Sequence, residues 1–243
     1  MNVAVLIIAT VFAMMLVVPA IQVFCRRRGP VDRTPLMARR IREAHQAGRT
    51  DFVLTWEWVD LPHISEELIK AVIVVEDRHF AVHRGFDVAR QWKTVRKALQ
   101  RGIKIAGCST ITNQVARNVF LTIRRSYLRK AAEFYYTFWI ELLWGKRRIM
   151  EVYLNMIEMG DGLFGCAAAA RHYFGKTPMD LDCGESAMIA VSLRNPRKWN
   201  PDVFRAGFGK WSVRIVACKL TCDAWKVGPG GIWDLARPSR FRR

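Results

Sequence analysis

The stretch from Ser65 to Asp87, SEELIKAVIVVEDRHFAVHRGFD, decides how the chain is read. Its first half sets Leu68, Ile69, Val72, Ile73 and Val75 at helical spacing, and Ser65 followed by Glu66 and Glu67 suits a helix start. The apolar run stops on Glu76-Asp77, so the pattern predicts a helix that leaves the core on a pair of carboxylates. A carboxylate at such an exit suits general acid or base work. A plainer reading also fits: the pair merely ends a helix, and His83 lies on the surface.

Downstream, a second amphipathic stretch runs from Asp87 to Ile105. Val88, Trp92, Val95, Leu99 and Ile103 form one stripe, and Arg90, Lys93, Arg96, Lys97, Arg101 and Lys104 supply the charge. That pattern fits a helix lying in a membrane interface, or a solvated face over a core stripe. Gly107 to Gln114 follows, with Ser109, Thr110, Thr112, Asn113 and Gln114 as donors and acceptors for a sugar or phosphate. If Ser109 or Thr110 caps the next helix, unpaired N–H groups there also face an anion.

A long helical pattern covers Arg125 to Ile157 and is too apolar all round for one stripe, with Gly145 expected to break it. Within it Arg129 and Glu133 are four apart and Lys130 and Glu133 three apart, so all share a face. Cations beside a carboxylate suit a diphosphate leaving group, or an ordinary surface ion pair. Further helices are expected over Cys166 to Tyr173, Cys183 to Leu193 and Val203 to Trp225. Gly160-x-Gly162-x-x-Gly165 has no strand before it and is read as a turn between helices, not as a dinucleotide loop. With no convincing run of alternating strands, the fold class is mainly α.

Upstream, Val3 to Phe24 carries no charge. As a helix it extends about 33 Å, enough for a hydrocarbon core of about 30 Å. A cleaved signal peptide fits less well, because the run is long, no Lys or Arg precedes it, and no small-x-small site precedes Cys25. The expected organisation is an anchor over 1–25, a basic linker over 26–34, a catalytic domain over 35–225 and a basic tail over 226–243. Across all 243 residues 39 Lys and Arg outweigh 21 Asp and Glu, a net charge of +18. Such a chain selects anionic partners, whether nucleic acid, lipid head groups or phosphorylated substrates. The six cysteines support neither a disulfide framework nor a zinc site.

In order along the chain, several segments resemble the glycosyltransferase domain of penicillin-binding proteins, most closely the monofunctional peptidoglycan transglycosylases. They are Glu76-Asp77-Arg78-His79-Phe80 through Gly85-Phe86-Asp87, Ser109 to Gln114, Arg129-Lys130-x-x-Glu133, Arg148-Ile149-Met150-Glu151-x-Tyr153-Leu154-Asn155, Tyr173 to Lys176, and Asn195-Pro196 with Asn200-Pro201. The resemblance implies a lysozyme-like lobe plus a smaller membrane-associated lobe behind one transmembrane helix. It implies inverting transfer from a lipid diphosphate donor to the 4-hydroxyl of another lipid-linked disaccharide, lipid II.

By motif position, Glu76 resembles the general base and Glu133 the second carboxylate. Ser109, Thr110, Gln114, Arg117, Arg125, Arg129 and Lys130 match substrate-binding positions, while Asp77, Phe80, Glu151 and Asn155 support the cleft. No cofactor is implied as required, although a divalent cation such as Mg2+ or Mn2+ fits at the diphosphate. The implied partners are lipid II, the growing glycan strand, the membrane and proteins of cell-wall synthesis and division, with no nucleic acid. The implied location is the cytoplasmic membrane with the catalytic domain outside. Arg26, Arg27 and Arg28 argue for the opposite orientation, and the family pattern is followed over that charge count. Asn113 stands where the family usually has Gln, a shortening expected to weaken one substrate contact.

Overall fold

A computed structural model describes residues 2–103, 109–121 and 126–207, without the side chains at 7, 8, 11–13, 15 and 16. In chain order the helices are α1 (Val3–Cys25), α2 (Pro35–Gln46), α3 (Glu66–Glu76), α4 (Val88–Arg101) and α5 (Ile111–Val115). They continue with α6 (Tyr127–Leu143), α7 (Lys146–Met156), α8 (Gly165–Phe174), α9 (Cys183–Ser192) and α10 (Pro201–Arg205). Three short strands, β1 (Thr55–Trp56), β2 (Glu158–Gly160) and β3 (Leu163–Phe164), form a sheet in the order β1-β3-β2. The mainly helical class therefore holds, with a small sheet added.

Helix α3 begins where expected, with the Ser65 hydroxyl accepting a bond from Glu67 N at 3.2 Å. It buries Leu68, Ile69, Ala71, Val72, Ile73 and Val74. Its main neighbour is α9, whose Ala187 and Ala190 are small enough to let the backbones approach. The largest fully buried side chains of the core include Phe80, Ile111, Ile149, Met150, Tyr153, Leu154 and Phe164. Helices α6 and α7 part at Gly145, as the sequence suggests, with Gly145 capping α7.

The turn at Gly160-x-Gly162-x-x-Gly165 joins two strands instead of two helices. Antiparallel β2 and β3 flank it, and β1 adds to β3 in parallel. Gly165 has φ +80°, and a Cβ there lies 2.7 Å from Asn155 O. Gly165→Ala is accordingly expected to destabilise the protein by about 3 kcal/mol, from left-handed strain plus a backbone overlap. A fall in the urea midpoint at constant m checks this, and an unchanged midpoint contradicts it.

Helix α4 stops at Arg101, short of the expected Ile105, because Gly102 adopts the left-handed conformation and Ile103 N bonds Ala98 O at 3.0 Å. Its stripe does not cover a core. Val88, Trp92, Leu99 and Ile103 are 70, 69, 74 and 58% exposed, and Ala98 alone in the helix is buried. Helix α6 also leaves Tyr127, Leu128, Phe138 and Leu142 exposed beside its buried face of Glu133, Tyr136, Thr137 and Ile140. The last expected helix is, in its described part, the short α10, and residues from 208 onward lie outside the description. Cys166 is a buried core residue whose thiol burial pushes up to about 12. Cys25 is exposed.

Among the described residues, a set that leaves out seven side chains within α1, no helix is long and apolar enough to cross a membrane. The carboxyl end of α1 is tied to the rest of the chain. Tyr136 donates its hydroxyl to Gln22 Oε1 at 2.6 Å, and Trp144 Nε1 donates to Val23 O at 2.9 Å. Arg148 donates to the carbonyls of Arg26, at 2.9 Å, and Gly29. The Arg26 guanidinium lies 5.5 Å from the Phe120 ring, which stacks on Tyr136 at 4.9 Å. The basic linker of the sequence reading is thus held at several points.

Candidate active site

Glu76 is the last residue of α3 and is half-buried. Its Oε2 accepts from Gln114 Nε2 at 2.7 Å, and its carbonyl accepts from Arg90 at 2.9 Å. The next carboxylate points inward. Asp77 is fully buried, with Oδ2 accepting from Ile111 N at 3.0 Å and facing His83 Nε2 at 2.9 Å. Arg90 lies 3.8 Å from Asp77 Oδ1. His83 is therefore no surface residue, since its side chain is 7% exposed against Asp77. Neighbouring carboxylates at one helix end have separate tasks: one is presented, the other braces the start of α5.

That start is a capping box. The Thr110 hydroxyl accepts from Asn113 N at 3.1 Å, and Asn113 Oδ1 accepts from Thr110 N at 3.3 Å. Thr110 also donates to Gly85 O at 2.7 Å, and Asn113 donates to Thr137 Oγ1 at 2.9 Å. Of the two cap candidates in the sequence, Thr110 is the one that caps the helix. It is 1% exposed, and the Asn113 amide is engaged within the fold. Ser109 is half-buried just outside the cap.

Gln114 receives a longer bond, 3.5 Å, from the Tyr153 hydroxyl. Burial holds that phenol well above its ordinary range, the Glu76 charge adds to this, and Arg117 opposes it. Tyr153 consequently stays a neutral donor. After Gln114 the helix widens into a π-helix, Ala116–Phe120, which carries Arg117. Such widenings re-aim side chains and recur at functional sites.

On α6, started by Ser126, the predicted face is present. Glu133 is 1% exposed and meets Arg129 at 3.0 Å and Lys130 at 2.6 Å. Arg125 lies outside the described residues. Gln114, Arg117, Asn118 and Arg129 line a cavity of about 290 Å³ with Arg40, Glu158 and four apolar residues. The cavity brings together Gln114, Arg117 and Arg129; Gln114 connects it to Glu76, and Arg129 connects it to Glu133 and Lys130. Arg40 and Glu158 were missed, and 118 positions separate them, beyond any spacing rule.

The residues expected to support the cleft are engaged within the fold. Phe80 is fully buried in the core. Glu151 accepts from Leu61 N at 3.0 Å and Arg148 at 2.6 Å. Asn155 pairs with both the N–H and the carbonyl of Val59 at 2.8 Å. Among the described residues no three His, Cys, Asp or Glu side chains converge as metal ligands.

Residues 44–217 match the family described as Transglycosylase. Similar proteins include the biosynthetic peptidoglycan transglycosylase of Xylella fastidiosa, 42% identical over 198 residues, or 80% of this chain and 79% of that one. That of Aromatoleum aromaticum is 47% identical over 154 residues, covering 63% of this chain and 67% of its own. That of Rhodospirillum centenum is 45% identical over 176 residues, covering 71% and 72%.

Proposed function

The chain belongs to the transglycosylase family, and from that premise we propose how its cleft joins sugar units. The protein is a peptidoglycan glycosyltransferase that polymerises glycan strands. Its substrates in this proposal are lipid II and the growing strand. The observation that carries the reading is the bond between Gln114 and Glu76 beside a cavity walled by Arg117 and Arg129.

Glu76 takes the proton from the acceptor 4-hydroxyl as that oxygen attacks the anomeric carbon of the donor, with inversion. Charge then develops on the departing polyprenyl diphosphate, and fixed cations lower the barrier most when they are aimed there in advance. Arg117, Arg125, Arg129 and Lys130 are assigned that task, with Ser109 and Gln114 lining the same donor site. Glu133 has no proton to move in this scheme. Fully buried between Arg129 and Lys130, it fixes their positions. No cofactor is required in this proposal, and a divalent cation such as Mg2+ or Mn2+, where bound, would neutralise charge on the substrate diphosphate.

Location completes the proposal. Helix α1, uncharged over Val3 to Phe24, anchors the enzyme in the cytoplasmic membrane with the catalytic domain outside. The exposed stripe of α4 and the exposed apolar residues of α6 rest on that membrane as the smaller lobe. Lysine at both Trp92 and Leu99 should cost roughly 2 kcal/mol of membrane burial per site. Polymerisation in liposomes is expected to fall about tenfold, with an unchanged thermal midpoint because both side chains are already exposed. Equal rates for variant and wild type contradict membrane contact through α4.

The test of function is the detergent-purified full chain with labelled lipid II. A polymer digested by muramidase supports the reading. Soluble fragments released from purified wall, without polymer, replace it with a hydrolase.

A further inference from the structure

The cavity beside the catalytic carboxylate has a wall that the family match does not include. Residues 44–217 match the family, whereas Arg40 on α2 lines the cavity from outside that range. Arg40 is fixed there. Its Nε lies 2.9 Å from both carboxylate oxygens of Glu158, one terminal nitrogen lies 2.6 Å from Glu158 Oε2, and the other lies 2.6 Å from Glu43. Glu158 on β2 is 4% exposed, so α2 and the sheet are bolted together at the cleft.

Docking alone is a weak reason for such a pair. Burying two charges is costly, and apolar residues of similar size hold a helix at least as well. A guanidinium carries five N–H groups, and these bonds to Glu158 and Glu43 need three of them. Arg117 and Arg129 line the same cavity, so with Arg40 and Glu158 the wall carries a net positive charge.

We propose that Arg40, held in place by Glu158, is a substrate-binding residue that takes an anionic group of the lipid-linked disaccharide through its remaining N–H groups. This rests on the polymerase reading. Two parts of the substrate offer that chemistry, the diphosphate and any carboxylate on the sugar side.

The test is the double variant Arg40→Gln/Glu158→Gln in the full-length enzyme. It removes one positive and one negative charge, so the guanidinium is lost while the net charge of the wall stays the same. KM for the lipid-linked disaccharide is expected to rise about tenfold with kcat within about twofold, a split that a purely structural role does not give. Arg40→Lys keeps the charge pair and the fold, and is expected to raise KM about threefold because ammonium does not reproduce the planar fork.

Inorganic pyrophosphate as a competitor separates the two sources. Weaker inhibition of the double variant assigns Arg40 to the diphosphate. Unchanged inhibition with a raised KM assigns it to a carboxylate. Unchanged KM in both variants overturns the proposal. Absence of polymer from wild type in the same assay overturns the polymerase reading, and this inference with it.

Discussion

Glu76→Gln stops polymerisation: kcat is expected to fall about 10³-fold, the usual weight of a positioned general base. The substitution changes little else. Glutamine has the shape of glutamate, and its amide oxygen still accepts from Gln114 Nε2, which now holds the carboxylate at 2.7 Å. KM should therefore stay within about threefold and the thermal midpoint should not move. Labelled lipid II, wild type and variant side by side, gives both numbers. Activity within tenfold of wild type removes Glu76 as the base and leaves Glu133 as the alternative carboxylate, despite its burial between two cations.

The adjacent carboxylate gives the second large effect, by a different route. Asp77→Ala withdraws the acceptor from Ile111 N, the partner from His83 and the counter-charge from Arg90, all at a fully buried position. Unpaired polar groups left there cost about 3–5 kcal/mol in total, a large part of the 5–15 kcal/mol that holds an ordinary domain together. What remains folded should also be slow, because Ile111 opens the helix that presents Gln114 to Glu76. Asp77→Asn keeps one acceptor for Ile111 N and is expected to lose about half as much. Urea unfolding followed by tryptophan fluorescence checks the order of the three proteins. A loss below about 1 kcal/mol for Asp77→Ala contradicts the brace.

These two neighbours also show what a sequence discloses. Helix α3, its cap and the carboxylate pair were legible because periodicity and capping are local, and so was the triad of Arg129, Lys130 and Glu133. The division of labour between Glu76 and Asp77 was legible only through family resemblance, since either could have faced the cleft. Strands of two or three residues leave no alternation to detect, so the sheet went unseen. Helix α2 escaped because only Leu36, Met37 and Ala44 are buried in it. Thr110 was legible as a cap candidate, whereas the partner role of Asn113 was not, because hydroxyl and amide groups suited to a sugar are equally suited to a capping box. The asparagine closes that box from N3, where Glu or Gln is commoner, so its shorter side chain has a use inside the fold.

One further consequence comes from the ties at the end of α1. Arg148 grips the carbonyls of Arg26 and Gly29 while Trp144 and Tyr136 hold Val23 and Gln22. A swivel between anchor and enzyme is thereby removed. With α1 in the bilayer, as proposed, the cleft sits at one altitude above the lipid, like a tool bolted to its bench. Each incoming head group meets the base at the same depth, and a lengthening strand has to be threaded past a stationary machine instead of being followed by a moving one.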